Sequence, residues 1–102
     1  MNRVRFSYIG DPLSALGFAL IGAQRFSPKL NPPAVVQALD EARSDSDLVL
    51  IENAYAALID EHLHTTIIGE PLPPIVVVPS LHQDDELSDA SVREAGVVLG
   101  IG

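Results

Sequence analysis

Short apolar runs alternate along the chain with amphipathic stretches, a pattern typical of strands that alternate with helices. The first run, residues 4–9, ends where Asp11 can cap a helix and Pro12 suits its first turn. Gly22 can end that helix. Its apolar positions on one face are Leu13, Leu16, Gly17 and Leu20.

A second strand and helix follow in the same way. Residues 23–26 are a short, weak strand, and Asn31-Pro32 opens the next helix as Asp11-Pro12 opens the first. The helical spacing of its apolar residues predicts one buried stripe. The stripe consists of Val35, Ala38, Leu39 and Ala42.

Residues 48–51 and 75–78 are continuous apolar runs, which is typical of parallel strands covered on both faces. Between them Asn53 can cap a third helix. The predicted stripe of that helix is Tyr55, Leu58, Ile59 and His62. The order β-α-β-α-β-α-β predicts an α/β fold, an open four-stranded parallel sheet with helices on both faces. One oddity is that the first strand carries Arg5 and Ser7 where a central strand usually buries apolar residues.

The last part of the chain has a different character. We expect residues 1–80 to form the α/β globular unit and residues 81–102 to form an acidic linker followed by a partner-binding helix. As a helix, the final segment would place Val92, Ala95 and Leu99 on one side, with Val97 and Val98 on two others. Such a helix would be apolar nearly all round and would need a partner. A fifth strand is the alternative, because residues 97–99 also suit one.

Length and composition narrow the class of protein. The 102 residues, 47% of them hydrophobic, suit one domain with one core. Without cysteine there is no disulfide, thiolate metal site or cysteine nucleophile. The net charge of −8, with Lys29 as the only lysine, argues against nucleic acid as a partner. No apolar run approaches the ~20 residues that a membrane-spanning helix needs.

The predicted strand ends carry little chemistry. No Gly-x-Gly-x-x-Gly follows residue 9, and no glycine-rich loop with a lysine is present to hold a phosphate. A phospho-acceptor site would have Asp11 as its only early acidic residue and Glu52 at the acceptor position. We therefore predict no catalytic residue, no cofactor and no metal. A receiver-like regulatory or ligand-binding domain with a degenerate phospho-acceptor site remains the alternative.

Four further side chains are candidates for a function. On a helix His62 and His64 would point apart, whereas an extended segment would let them share a metal with His82, as a small metal-dependent enzyme would require. Phe18 lies off the leucine face of its helix. It is either tucked beneath a neighbouring loop or partly exposed as a contact residue.

Several segments together resemble the F subunit of the V-type (vacuolar/archaeal-type) ATPases. The similar segments are residues 9–11, 16–18 with Gly22, 48–53, 73–80 and 92–101. The resemblance covers nearly the whole chain. It implies a three-layer αβα fold like that of flavodoxin or a receiver domain, without an active site, and a closing C-terminal helix.

The resemblance also implies a function. It implies a non-catalytic component of the central rotor stalk that binds the coiled-coil D subunit, turns inside the catalytic A/B ring, and couples or regulates rotation during proton or sodium transport. Such a protein would be cytoplasmic, reaching the membrane only through its complex, and residues 88–102 would be its moving part. The expected partner-binding residues are Phe18, Val92, Arg93, Val97, Val98, Leu99 and Ile101.

Overall fold

The computed structural model describes residues 4–80, and the predicted C-terminal helix or strand lies outside this range. Strands and helices alternate along the described chain, as the sequence predicts. The elements are β1 (Phe6–Ile9), α1 (Pro12–Ala19), β2 (Gln24–Phe26), α2 (Pro32–Asp45), β3 (Leu48–Glu52), α3 (Asn53–Ala57), α4 (Asp60–Gly69) and β4 (Ile75–Val78).

The four strands form one parallel sheet in the order β2-β1-β3-β4. Ser7 pairs with Val49, and Ile51 pairs with Val77, which fixes the register of the central strands with their neighbours. Helix α1 packs on one face, mainly over β1 and β2, and the other helices pack on the opposite face. The predicted open parallel sheet with helices on both faces is confirmed.

The larger core lies beneath α2, α3 and α4. Alternate residues of the central strands, Ile9, Val49 and Ile51, point into it and are fully buried. The predicted stripe of α2 packs against them and is buried throughout: Val35, Ala38, Leu39 and Ala42. Period-3.6 spacing on a 14-residue helix therefore located this face of the core correctly.

The smaller core, beneath α1, has a different composition. Its buried members are Tyr8, Ala15, Ala23 and Val78, with Phe18 half-buried against them. The buried residues of α1 are Ser14 and Ala15, whereas its leucine face is turned to solvent. Small residues let the helix approach the sheet closely where the Tyr8 ring already fills the space. The leucine face is thus not the core-facing side of the helix.

The predicted starts of the first two helices are confirmed. The Asp11 carboxylate accepts hydrogen bonds from the backbone N–H groups of Leu13 and Ser14, each at 3.0 Å. The Asn31 side chain accepts one from Ala34 at 2.9 Å. Gly22 follows α1 with φ of 105°, a value that favours glycine and turns the chain toward β2.

The third crossover differs from the prediction. It contains two short helices, and Asn53 is the first residue of α3 rather than its cap; Glu52 holds the cap position without a side-chain bond. The break between α3 and α4 changes which residues of this segment face the sheet. Tyr55 and Ile59 are buried as predicted, but Leu58 is exposed and His62 is only half-buried. Leu63, which the prediction omitted, completes the core.

Two strand predictions also need correction or explanation. Within residues 4–80, strand β4 is not covered on both faces: Val76 and Val77 are exposed, and β4 lies at one edge of the described sheet. Ser7 is fully buried in β1. Its hydroxyl forms a hydrogen bond with the Ser46 hydroxyl and lies 3.4 Å from the side-chain oxygen of Gln24. Because its polar atom is paired, a serine is tolerated at this core position.

Arg43 of α2 forms hydrogen bonds with the connection between α4 and β4. The Nη2 atom of Arg43 donates to the carbonyl oxygens of Glu70, at 2.6 Å, and Leu72, at 3.0 Å. Its Nη1 atom also lies 3.9 Å from the Glu70 carboxylate. This connection has no helix or strand of its own, so Arg43 supplies partners for backbone groups that would otherwise need water.

Candidate functional site

The carboxyl ends of β1 and β3 bring three polar side chains together, here named the tip cluster: Tyr8, Asp11 and Glu52. Glu52 ends β3 and is only 3% exposed. Its Oε2 atom accepts hydrogen bonds from the Tyr8 hydroxyl and from the Asp11 backbone N–H, both at 3.0 Å. The carboxylate thus joins β3 to β1 and to the start of α1.

Burial dominates the electrostatics of the tip cluster. It raises the pKa of Glu52 above its ordinary value, and the bonds donated by Asp11 and Tyr8 oppose this rise only in part. Burial also raises the pKa of Tyr8, and the neighbouring Glu52 carboxylate raises it further. The pKa of Tyr55 rises for the same reasons, burial first and then the charges of Glu52 and Asp11. Glu52 and the two tyrosines therefore hold their protons more tightly than they would in water.

Gly10 makes this arrangement possible. A Cβ atom placed on Gly10 would lie 2.5 Å from Oε2 of Glu52 and 2.6 Å from Cε2 of Tyr8. Both distances are shorter than real Cβ contacts, so any larger residue would displace the Glu52 carboxylate or the Tyr8 ring. A glycine is required here by the close approach of side chains and not by its backbone angles.

This geometry suits a structural role better than phosphoryl transfer. An acceptor carboxylate must be reachable by the phosphoryl donor, whereas Glu52 is buried and one of its oxygens already accepts two internal hydrogen bonds. Among residues 4–80, no group of three or more histidine, aspartate or glutamate side chains is arranged to hold a metal ion. The tip cluster is best described as an internal anchor between strands.

Two of the three histidines lie on a helix, which is the first of the two arrangements considered from the sequence. His62 and His64 both lie in α4, two positions apart, where side chains do not face each other. The extended arrangement that would let them share a metal is not formed, and His82 lies outside the described residues.

An exposed apolar surface is the feature that the sequence prediction missed. Leu13, Leu16 and Leu20 follow one line along α1 and its C-cap, and they are 65%, 44% and 80% exposed. We name these three residues the α1 leucine stripe. Their spacing was visible in the sequence, but the same spacing usually marks a core-facing side.

The comparison with protein families identifies the kind of protein that carries these features. The family model described as ATP synthase (F/14-kDa) subunit matches residues 7–95, which include every element from α1 to β4 and nearly all of β1. The chain belongs to this family. No curated protein and no solved structure matches the chain.

Membership of the ATP synthase F/14-kDa family makes the chain a component of an ATP synthase complex. It confirms the broader part of the resemblance seen in the sequence. None of the helices within residues 4–80 is long and apolar enough to cross a membrane.

The predicted partner-binding residues of this F/14-kDa protein are distributed unevenly. Phe18 is half-buried, and its ring stacks on Tyr8 with centroids 4.3 Å apart and planes 12° from parallel. It therefore packs on a strand and remains partly exposed, and its role as a contact residue stays a prediction. The remaining six lie outside the described residues, and the family match reaches only two of them, Val92 and Arg93. Their role in partner binding stays a prediction.

Proposed function

We propose that this protein is a non-catalytic central-stalk component of a V-type ATPase or ATP synthase. The observation that carries the proposal is the family match over residues 7–95. In this role the protein binds the long coiled-coil D subunit of the stalk, turns with it inside the catalytic A/B ring, and couples or regulates rotation during proton or sodium transport.

The tip cluster supports a non-catalytic role. In open α/β sheets, ligands bind outside the carboxyl ends of the strands. Here that position holds the buried Glu52 carboxylate, whose Oε2 atom accepts hydrogen bonds from the Tyr8 hydroxyl and the Asp11 backbone N–H. The chain's contribution to the complex would then be mechanical, through the surfaces it offers to its neighbours, and any attachment to the membrane would be through the complex.

In this proposal the C-terminal segment regulates rotation through its contacts with neighbouring subunits. We assign residues 1–80 to the globular unit and residues 81–102 to an acidic linker with a partner-binding helix. As a helix, the segment would be apolar on several sides, and contact with neighbouring subunits would remove its apolar side chains from water. The residues assigned to these contacts are Val92, Arg93, Val97, Val98, Leu99 and Ile101.

A binding titration tests the proposal. The full-length chain is titrated with the purified coiled-coil stalk protein of the same complex by isothermal calorimetry. We expect a one-to-one complex with a dissociation constant of about 1 µM or tighter, about 8 kcal/mol of binding free energy. Absence of any complex at tens of micromolar would contradict the proposal. Val98→Asp in the full-length chain should weaken binding if the C-terminal segment takes part.

The receiver-like alternative makes a different prediction. Incubation with acetyl phosphate and Mg²⁺ would then add a phosphoryl group to Glu52 and change the mass of the chain. Because Glu52 is buried and hydrogen-bonded, we expect no change in mass. A phosphorylated species that disappears in Glu52→Gln would favour the receiver-like function instead.

A further inference from the structure

The α1 leucine stripe has the geometry of one side of a helix–helix contact. Leu13, Leu16 and Leu20 are spaced i, i+3, i+7, the spacing of the a and d positions that pack between helices in a coiled coil. All three are exposed, and Gly17 beside them has open space where its Cβ would be. A glycine next to such a stripe lets another helix approach closely.

The stripe faces outward because the other side of α1 is already used. Ser14 and Ala15 are buried toward the sheet, and Phe18 stacks on Tyr8. Rotating the helix to bury the leucines would remove that stacking and would bring bulkier side chains against the sheet. The leucines are therefore available to another molecule without any rearrangement of the fold.

The exposed isoleucines of α4 do not form a comparable surface. Ile67 and Ile68 of α4 are exposed, but neighbouring positions on a helix point about 100° apart. Helix α4 also begins with Asp60 and Glu61, whereas α1 carries no charged side chain. An uncharged helix with three aligned leucines is better suited to an apolar partner than α4 is.

We propose that the α1 leucine stripe binds one α-helix of a different protein in the complex, and that this helix bears its own apolar stripe. The inference rests on the proposed function, which supplies a helical stalk as the neighbour. It adds the location of the contact, on the α1 face of the sheet.

Two other occupants fit the structure less well. Residues 81–102 continue from the end of β4, at the sheet edge farthest from β2, while α1 lies over β1 and β2. Strand β4, from which this segment continues, has exposed apolar side chains of its own at Val76 and Val77. A second copy of the chain is disfavoured by repulsion between two molecules that each carry a charge of −8.

A pair of matched variants tests the location. Leu20→Glu places a charge in the stripe, and Ile68→Glu places the same charge on α4; the two positions are 80% and 76% exposed, so neither change removes a core residue. In calorimetric titrations of the full-length chain with the coiled-coil stalk protein, Leu20→Glu should weaken binding by ~30-fold or more. Ile68→Glu should change it by no more than about twofold.

The titrations separate the two proposals. If the unmodified chain does not bind the coiled-coil stalk protein, the proposed function fails and this inference fails with it. If it binds, and Leu20→Glu binds equally well, only the α1 location is wrong. Sedimentation of the free chain and melting of the two variants address the other occupants. A dimer that Leu20→Glu dissociates, or a melting temperature lowered by Leu20→Glu alone, would overturn the inference in favour of a second copy or the chain's own C-terminal segment.

Crosslinking tests the helical nature of the partner. The chain has no cysteine, so Leu20→Cys introduces a single thiol for a short thiol-reactive photocrosslinker. In the assembled complex we expect crosslinked positions in the partner that recur every three or four residues. Alternate positions in the partner would indicate a strand and would contradict the inference. Ile68→Cys serves as the control and should give no such series.

Discussion

Gly10→Ala and Gly17→Ala are the same chemical change in one small domain, and the structure predicts opposite effects on stability. Gly10 lies against the tip cluster, where a Cβ atom would come within 2.5 Å of Oε2 of Glu52 and 2.8 Å of the Tyr8 hydroxyl. Gly17 lies on the outer side of α1, with no atom within 4 Å of the position its Cβ would take.

The expected cost at Gly10 has two parts. Forcing a methyl group into a filled space typically costs about 1–3 kcal/mol. Displacing the Glu52 carboxylate also weakens its bonds to Tyr8 and the Asp11 N–H, and a buried group left without its partner costs about 1–3 kcal/mol. We therefore expect Gly10→Ala to lower the free energy of unfolding by roughly 2–6 kcal/mol. That is a large share of the ~5–15 kcal/mol that holds a typical domain together.

The expected effect at Gly17 is a gain. Alanine in a helix interior is favoured over glycine by about 0.5–1 kcal/mol, because glycine loses more backbone freedom on folding. The new methyl group meets nothing within the chain, so this gain is not offset by a clash.

Urea unfolding followed by far-ultraviolet circular dichroism measures both changes. The slope with denaturant should stay constant across the wild type and the two variants, so that shifts in midpoint report stability. A Gly10→Ala variant within about 0.5 kcal/mol of the wild type would refute the close approach of Glu52 and Tyr8. Equal losses in both variants would show that backbone effects, and not contact with the tip cluster, decide the outcome.

Three further predictions concern the core, the Arg43 contacts and pH. Leu39→Ala should cost about 2–5 kcal/mol because Leu39 is fully buried, whereas Leu20→Ala should cost under about 0.5 kcal/mol; urea unfolding of the pair checks this. Arg43→Ala should cost about 0.5–1.5 kcal/mol, because water can replace its bonds to the two exposed carbonyls, and faster amide hydrogen exchange around β4 should accompany it. Because burial raises the pKa of Glu52, its contribution to stability is complete below its ordinary value of 4.5 and is lost as pH rises through the higher folded value. The unfolding free energy of the wild type minus that of Glu52→Gln should therefore fall as the pH rises above the ordinary pKa of 4.5, and a constant difference would contradict the raised pKa.

The order of the strands along the chain and the starts of the first two helices were available from the sequence. Asp11 and Asn31 mark helix starts because their side-chain oxygens satisfy free N–H groups, a local effect that needs no tertiary contact. The stripe of α2 was also predictable, since a long helix with its apolar residues on one side has only one favourable way to face the sheet.

The tip cluster was only partly predictable. Glu52 and Asp11 could be assigned to strand ends from the sequence, and parallel strands bring those ends to one edge. Nothing local shows that Tyr8 would donate to Glu52, since the two residues are 44 positions apart and meet only across the β1–β3 pairing. The need for glycine at position 10 arises from that same long-range contact.

The sequence by itself determined the alternation of strands and helices, because periodicity, caps and turn residues act over a few positions. Only the tertiary structure decided which side of α1 is buried. The helix is short, and either its leucine side or its side with small residues could face a core. The shape of the sheet surface beneath α1 therefore decides which side is buried. There Tyr8 leaves room for Ala15 and a stacking place for Phe18, and the leucines are left on the outside.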